Sequence, residues 1–291
     1  KVLYWLESIR APWLDAVMLA ISQLGGEILF MAIVIALFWC MDKRKGYYLM
    51  TVGFFGIVAN QFLKLVFRVS RPWIRDPEFT IVEGARAGAT GYSFPSGHTQ
   101  NAAAVLGCPA RMARKKGLKI TLWVLYALVG ISRMYLGVHT PYDVGVGVVM
   151  GLVLVFGLYP FFSEKNYKPQ RMYVLLGVML ALSIAFTTYT RLYPFPADIE
   201  VDNLSHGIKN GYTLTGAVAG MLAAFWLDEH YVHFQTAGSL PAHIVKCVVG
   251  LGLLLGIKTV LKPPMNALFG GDPIADAFRY AIVVFFAAGL W

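Results

Sequence analysis

The sequence predicts an all-α protein, a polytopic transmembrane helical bundle, and three observations carry that reading. Several apolar runs reach the roughly 20 residues that a helix needs to cross a hydrocarbon core about 30 Å thick. Of 291 residues, 57% are hydrophobic and only 14% are charged, and the mean hydropathy is +0.60. Alternation of period two is weak, and the long runs are rich in Leu, Val, Ala and Gly and separated by short basic stretches, which argues against a β-barrel.

Taken in order, residues 3–22 read as amphipathic. Glu7, Arg10 and Asp15 interrupt the apolar face and Pro12 breaks it, which suits a helix lying in the membrane interface, so residues 1–23 are assigned to that role. Spans are then expected at about 24–41, 46–67, 98–114, 119–138, 141–162, 172–190, 213–228, 243–262 and 274–291, roughly nine crossings. Residues 24–162 form the expected membrane core, and 163–291 add further transmembrane helices to the same domain. Nothing rich in Pro, Gly or Ser divides the chain, and as given it starts at Lys1 without the pattern of a cleavable signal peptide.

Charge sets the orientation. The links carrying Lys43, Arg44 and Lys45, then Arg111, Arg114, Lys115, Lys116 and Lys119, then Lys165, Lys168 and Arg171 are short, basic and alternate between spans. All three therefore fall on one side, the cytoplasmic one by the positive-inside rule, and 68–95 and 133–140 face outward. The formal charge of +9 reads first as topology and second as a preference for anions. Dispersed between spans, the Lys and Arg form no basic domain, which excludes nucleic acid as a partner. Cys40, Cys108 and Cys247 lie in or beside apolar runs without metal-ligand spacing and read as small buried hydrophobes.

The outward segments carry cations against the topology rule. Lys64 and Arg71 are seven residues apart, so on a continuing helix they would point the same way, with Arg68 and Arg75 sharing the face. Pro72 disfavours helix at Arg71 and turns the chain away. Singly, each cation also fits a snorkelling side chain. In "FPSGHTQNAAAVL", Ser96 is a good N-cap, and Gly97 and His98 would offer free N–H groups at a positive helix end, a ready anion site. In "SRMYLGVHTPYDVGVG", Thr140 caps, Pro141 takes the first helical position and His139 lies just outside. Asp143, three residues past the cap, fits the acidic member of a capping box.

In order along the chain come Lys64, six residues, Arg71-Pro72; then Pro95-Ser96-Gly97-His98; then Ser132-Arg133, five residues, His139, three residues, Asp143. Together these stretches resemble the three signature motifs of the type 2 phosphatidic acid phosphatase superfamily. The resemblance implies that His139 is a nucleophile forming a phosphohistidine, that Asp143 holds its imidazole, and that His98 protonates the leaving alkoxide and then activates water. It implies phosphoryl oxygens bound by Lys64, Arg71, Arg133, Ser96 and the Gly97 amide, and metal-independent chemistry with no cofactor. Ser132 could be purely structural.

Outside the motifs, Arg68 stays out of the core set. Tyr92, Phe94 and Trp73 read as interface anchors, with a wall of the site as the other reading. His206, His230, His233 and His243 lack partners at metal spacing. Gly147 with Gly151, and Gly216 with Gly220, suit close helix packing. The stretch "GYTLTGAVAGMLAAFW" is similar to late membrane segments of sphingosine-phosphate phosphatases.

Three functions fit. One is a lipid phosphatase acting on a phospholipid, polyprenyl or sphingoid-base phosphate at the extracytoplasmic membrane surface. The second is a phosphotransferase passing the same phosphoryl group to a lipid hydroxyl, and the third a non-catalytic lipid-binding or transport protein with this fold. Vanadate-dependent haloperoxidases share the motifs, but those known are soluble, at odds with nine spans.

Overall fold

A computed structural model describes residues 1–197 and 199–291, and among the described residues the chain is helical with no strand. In order the helices are α1 (Val2–Ser8), α2 (Pro12–Gln23), α3 (Glu27–Cys40), α4 (Lys43–Phe67), α5 (Pro72–Arg75), α6 (Gly97–Ala102), α7 (Cys108–Met112), α8 (Lys116–Tyr135), α9 (Pro141–Phe162), α10 (Pro169–Leu192), α11 (Val201–Leu227), α12 (Leu240–Val260), α13 (Lys262–Leu268) and α14 (Ile274–Phe285). A π-helical turn, Ala103–Gly107, joins α6 to α7. It sits just before Pro109, whose ring would crowd the carbonyl four residues back in a regular helix.

Among the described residues, five helical stretches can each cross a membrane by length and composition: those beginning at Lys43, Lys116, Pro141, Pro169 and Leu240. The pair α2 and α3, bent by 43° between them, makes a sixth if it is counted as one broken span. This differs from the nine expected crossings. The run from Gly97 to Met112 is continuous but divided into α6, a π-helical turn and α7, so no single helix in it reaches the length of a span, although the alternation of the basic links still requires the run to cross; α11 is diluted by Gly and Thr, and α14 carries Asp276 and Arg279.

The chain divides into two compact units, Lys1–Val34 with Lys45–Phe162, and Ile35–Arg44 with Ser163–Trp291. In the first, α6 packs on α8 and α9, and α1 and α2 lie on α8. Between lipid-facing helices there is little hydrophobic drive, so close van der Waals packing and internal hydrogen bonds hold the bundle. Gly147 and Gly151 make the α6–α9 approach possible: a Cβ at Gly147 would stand 3.0 Å from the Ser96 carbonyl oxygen, and one at Gly151 only 2.5 Å from the Ala103 Cβ. Tyr48 donates to the Val155 carbonyl at 2.5 Å, fixing α4 against α9. In the second unit, α11 packs along α14, where a Cβ at Gly216 or Gly220 would fall 1.9 or 2.2 Å from the carbonyl oxygens of Ala277 and Ala281. Both glycine pairs therefore serve helix packing, as their spacing predicts.

One expectation fails. Helix α4 stops at Phe67, Arg68 takes a left-handed conformation at φ 48°, and the chain runs extended to Arg71 before Pro72 opens α5. Lys64 and Arg71 thus share no helical face. The proline restricts the residue before it to extended backbone, and that restriction outweighs helical periodicity.

Candidate active site

Two helix starts and two helix ends build the site. Ser96 caps α6, its Oγ accepting from the Thr99 N–H at 3.4 Å while bonding the Thr99 hydroxyl at 2.8 Å. The Ser96 N–H donates to the Asp143 carbonyl oxygen at 3.0 Å, which ties the start of α6 to the first turn of α9. At that second start Thr140 and Asp143 form a reciprocal capping box: the Thr140 N–H donates to Asp143 Oδ2 at 2.7 Å, and the Asp143 N–H to Thr140 Oγ1 at 3.3 Å. Ser93 donates its hydroxyl to the same Oδ2 at 2.6 Å. Asp143 is thus held by two donors and is 1% exposed.

His139 stands in the link between α8 and α9, outside the spans, with Asp143 Oδ2 3.6 Å from its Nδ1. On the other side of the ring, Arg71 Nη1 lies 2.9 Å from Nε2. A guanidinium can only donate, so Nε2 must accept, and the ring proton of neutral His139 sits on Nδ1, facing the carboxylate. Burial first, then the charges of Arg71, Arg133 and Lys64, hold its pKa well below the ordinary 6.5, so His139 is neutral near pH 7.

The three cations converge from different elements. Arg71 donates to the carbonyls of Gly91, Val138 and Thr90 at 3.0, 2.9 and 2.7 Å, a bracket that fixes its plane. Lys64, near the end of α4, donates to the Tyr92 carbonyl. Arg133, in the last turn of α8, donates from Nη1 to Ser22 Oγ at 2.6 Å, while its Nε and Nη2 are buried without a hydrogen-bond partner. All three are nearly inaccessible, between 2% and 6% exposed. Burying cations is costly, and an anion placed among these three would offset that cost. His98 is the second residue of α6, and its ring approaches the loop at Gly88.

The structure gathers Lys64, Arg71, Ser96, Gly97, His98, Arg133, His139 and Asp143 into the first unit. Ser132 turns its hydroxyl back to the Val129 carbonyl at 2.7 Å, a bond within its own helix. Tyr92 is buried at 5% exposure, so the interface-anchor reading fails for it; its carbonyl serves Lys64 instead. The Trp73 ring lies 5.9 Å from the Arg71 guanidinium and 5.7 Å from that of Arg86.

Sequence reasoning missed four residues. Ser93 orients Asp143, Asn60 donates to the Pro95 carbonyl at 3.2 Å, Asn101 donates to the Gly25 carbonyl at 2.9 Å, and Ser22 holds Arg133. Asn60 carried a signal, since an amide inside an apolar span asks for a partner. Ser22 carried none.

Residues 44–167 match the family model described as the PAP2 superfamily, and residues 212–291 the one described as PAP2 superfamily phosphatase, transmembrane extension. The chain is 34% identical over 172 residues to phosphatidylglycerophosphatase B of Bacillus subtilis, covering 54% of this chain and 79% of that protein. It is 27% identical over 303 residues to a dihydrosphingosine 1-phosphate phosphatase of Schizosaccharomyces pombe, covering 96% of this chain and 69% of that one. Among solved structures it is similar to a transmembrane PAP2-type phosphatidylglycerolphosphate phosphatase from Bacillus subtilis, with a TM-score of 0.47 and 31% identity over 57% of this chain and 84% of that one.

Proposed function

The chain belongs to the PAP2 superfamily, and from that membership we propose that it is an integral membrane lipid phosphatase working through a phosphohistidine on His139. The observation that carries the reading is the His139 ring, set between Arg71 at Nε2 and Asp143 at Nδ1. A proton on Nδ1 leaves the Nε2 lone pair for attack, and Arg71, now bonded to that nitrogen, is placed to transfer its N–H to an entering phosphoryl oxygen.

In the first step Nε2 bonds to phosphorus and the bond from phosphorus to the lipid oxygen breaks. His98 gives its proton to that oxygen, and the dephosphorylated lipid leaves. Neutral His98 then takes a proton from water, the oxygen attacks phosphorus, and the P–N bond breaks to free inorganic phosphate and His139. Lys64, Arg71 and Arg133, with the Gly97 N–H at the α6 start, hold the non-bridging oxygens throughout. These cations supply the electrostatic stabilisation that a metal provides elsewhere, and among the described residues no group of three or more His, Cys, Asp or Glu is placed to hold one.

The site is assigned to the extracytoplasmic side because the basic links at Lys43–Lys45 and Arg111–Lys119 fix the inner one. A cationic pocket among apolar helices suits a lipid phosphate, monoester or diphosphate, with a phospholipid, polyprenyl or sphingoid tail.

The test measures phosphate release from dispersed phosphatidate, phosphatidylglycerophosphate, a polyprenyl diphosphate and a sphingoid-base phosphate, with and without an acceptor lipid. His139→Ala is expected to lose at least about 10³-fold in turnover. An acid-labile, base-stable phosphoenzyme is expected to be trapped with labelled substrate, and to accumulate in His98→Ala where that change slows dephosphorylation more than formation. Normal turnover by His139→Ala overturns the mechanism, and phosphoryl transfer to the acceptor in place of release overturns the hydrolase reading.

A further inference from the structure

The break between α2 and α3 lies against the site. Helix α2 ends at Gln23, and α3 starts at Glu27 with a 43° bend between them. Broken helices at membrane depth free backbone carbonyls that must find donors within the protein. Here the Asn101 amide, on α6, reaches the carbonyls of Gly25 and Gly26 at 2.9 and 3.3 Å. The contact is close enough to exclude any side chain: a Cβ at Gly25 would stand 2.3 Å from the His98 carbonyl oxygen. The corner is therefore pressed onto the same first turn of α6 that carries Ser96, Gly97 and His98.

One turn earlier, Ser22 is 1% exposed and accepts the Nη1 hydrogen of Arg133 at 2.6 Å. Which nitrogen it takes matters. On a planar guanidinium, the Nε–H and one Nη2–H point the same way along one edge and match two oxygens of a phosphate. Those two nitrogens are the ones buried without a partner, on a side chain 2% exposed. Ser22 engages the remaining nitrogen and fixes the rotation of the fork, leaving its paired edge open.

We propose that Ser22 is a positioning residue of the active site, holding Arg133 so that its Nε and Nη2 grip a substrate phosphoryl group, and that the Ser22–Gly26 corner is a wall of that site. Ser22 lies ahead of both segments that match the family models, so family membership does not assign it. The inference rests on the reading of Arg133 as a phosphoryl ligand. It adds that the first helices do more than cover the bundle: they set the geometry of one of its three cations.

A double-mutant cycle on the full-length protein in detergent tests it, with the lipid phosphates above as substrates and orthovanadate as a phosphoryl mimic. Ser22→Ala in the wild-type background is expected to lower kcat/KM for the best of these substrates roughly 10- to 100-fold. Orthovanadate affinity is expected to weaken in parallel, with the thermal midpoint nearly unchanged. In an Arg133→Lys background, whose ammonium has no paired edge to orient, Ser22→Ala is expected to add less than about threefold. Should Ser22→Ala fail to fold, Ser22→Cys, nearly isosteric with a weak acceptor, enters the same cycle, and Ser22→Thr, which keeps the acceptor oxygen, is expected to restore activity. Equal losses in both backgrounds would overturn the positioning role. If Arg133→Lys and Arg133→Ala both keep full activity, the phosphoryl-ligand reading of Arg133 is what fails.

Discussion

Arg71 Nη1 lies 2.9 Å from His139 Nε2, and this one distance decides the protonation pattern of the site. Because the guanidinium cannot accept, it fixes the imidazole proton on Nδ1 without reference to the carboxylate. Asp143 Oδ2 then faces that proton from 3.6 Å, too long for a hydrogen bond. Such contacts commonly shorten when substrate binds. Arg71 thus selects the tautomer, and in the proposed mechanism it also becomes a phosphoryl ligand.

The first prediction concerns the carboxylate. Asp143→Asn keeps the size of the side chain but can turn an N–H toward Nδ1, favouring the tautomer with the proton on Nε2. Turnover is expected to fall by roughly 10² to 10⁴-fold. Ser93→Ala removes one of the two donors that aim Oδ2 and is expected to cost about tenfold in kcat with KM little changed. Steady-state kinetics on the two variants measures both, and an active Asp143→Asn protein would remove Asp143 from the mechanism.

The second prediction concerns pH. Burial, with Arg71, Arg133 and Lys64 nearby, lowers the His139 pKa well below 6.5. The neutral nucleophile therefore persists as pH falls through 6.5 and is lost only at much lower pH. Burial, then the charges of Arg133, Arg71 and Lys64, lower the pKa of His98, the proposed acid, to about 3, so it does not titrate in this range either and takes up its proton only with the anionic substrate beside it. Single-turnover phosphoenzyme formation is expected to hold its rate from pH 7.5 down to about 5.5. A fall centred near 6.5 would mean that His139 titrates as an ordinary histidine.

How much of this was legible in the sequence follows from the range of each interaction. The Ser96 cap and the Thr140–Asp143 box were readable because a cap and its helix lie within three residues of each other. The glycine pairs were readable because periodicity marks a helix face, although it does not name the partner helix. Arg71 was recognised by motif but given the wrong route, since Pro72 ended the helical register and an extended segment delivers the side chain. Ser22 with Arg133, and Gly25 with Asn101, were not readable. Each pair joins residues more than seventy positions apart, and a serine on an amphipathic helix looks the same whether it meets water or a guanidinium. The expected crossings outnumber the long apolar helices because apolar runs in this chain include helices that are short or carry buried charge, such as Arg279 beside Asp276 on α14.

The third prediction concerns metals. Lys64, Arg71 and Arg133 are all buried beside the proposed phosphoryl position, so a divalent ion would meet repulsion there. Phosphate release is expected to be unchanged by EDTA and to be inhibited by vanadate or tungstate, which present the same geometry to Arg71 and Arg133. Activity abolished by the chelator and restored by magnesium would transfer the electrostatic role to a metal.

The last prediction concerns the side of the membrane. The proposed orientation requires two things together: the basic links at Lys43–Lys45 and Arg111–Lys119 lie inside, and the 68–95 loop lies across the membrane from them. On that orientation Arg68, Arg71 and Arg133 do not follow the charge rule; Arg71 and Arg133 are buried and not exposed at a headgroup surface, as the proposed phosphoryl-binding role requires. Single cysteines distinguish the two sides in a background lacking Cys40, Cys108 and Cys247. Gly88 is exposed in the loop, where an added Cβ meets only ordinary contacts, 3.9 Å from the Ala85 carbonyl oxygen and from His98 Cε1. Lys116 is exposed at the start of α8. In intact cells Gly88→Cys is expected to react with a membrane-impermeant thiol reagent, and Lys116→Cys only after the membrane is opened. The opposite pattern would place phosphate release in the cytoplasm, and it would make the basic links the outward ones despite their excess of Lys and Arg.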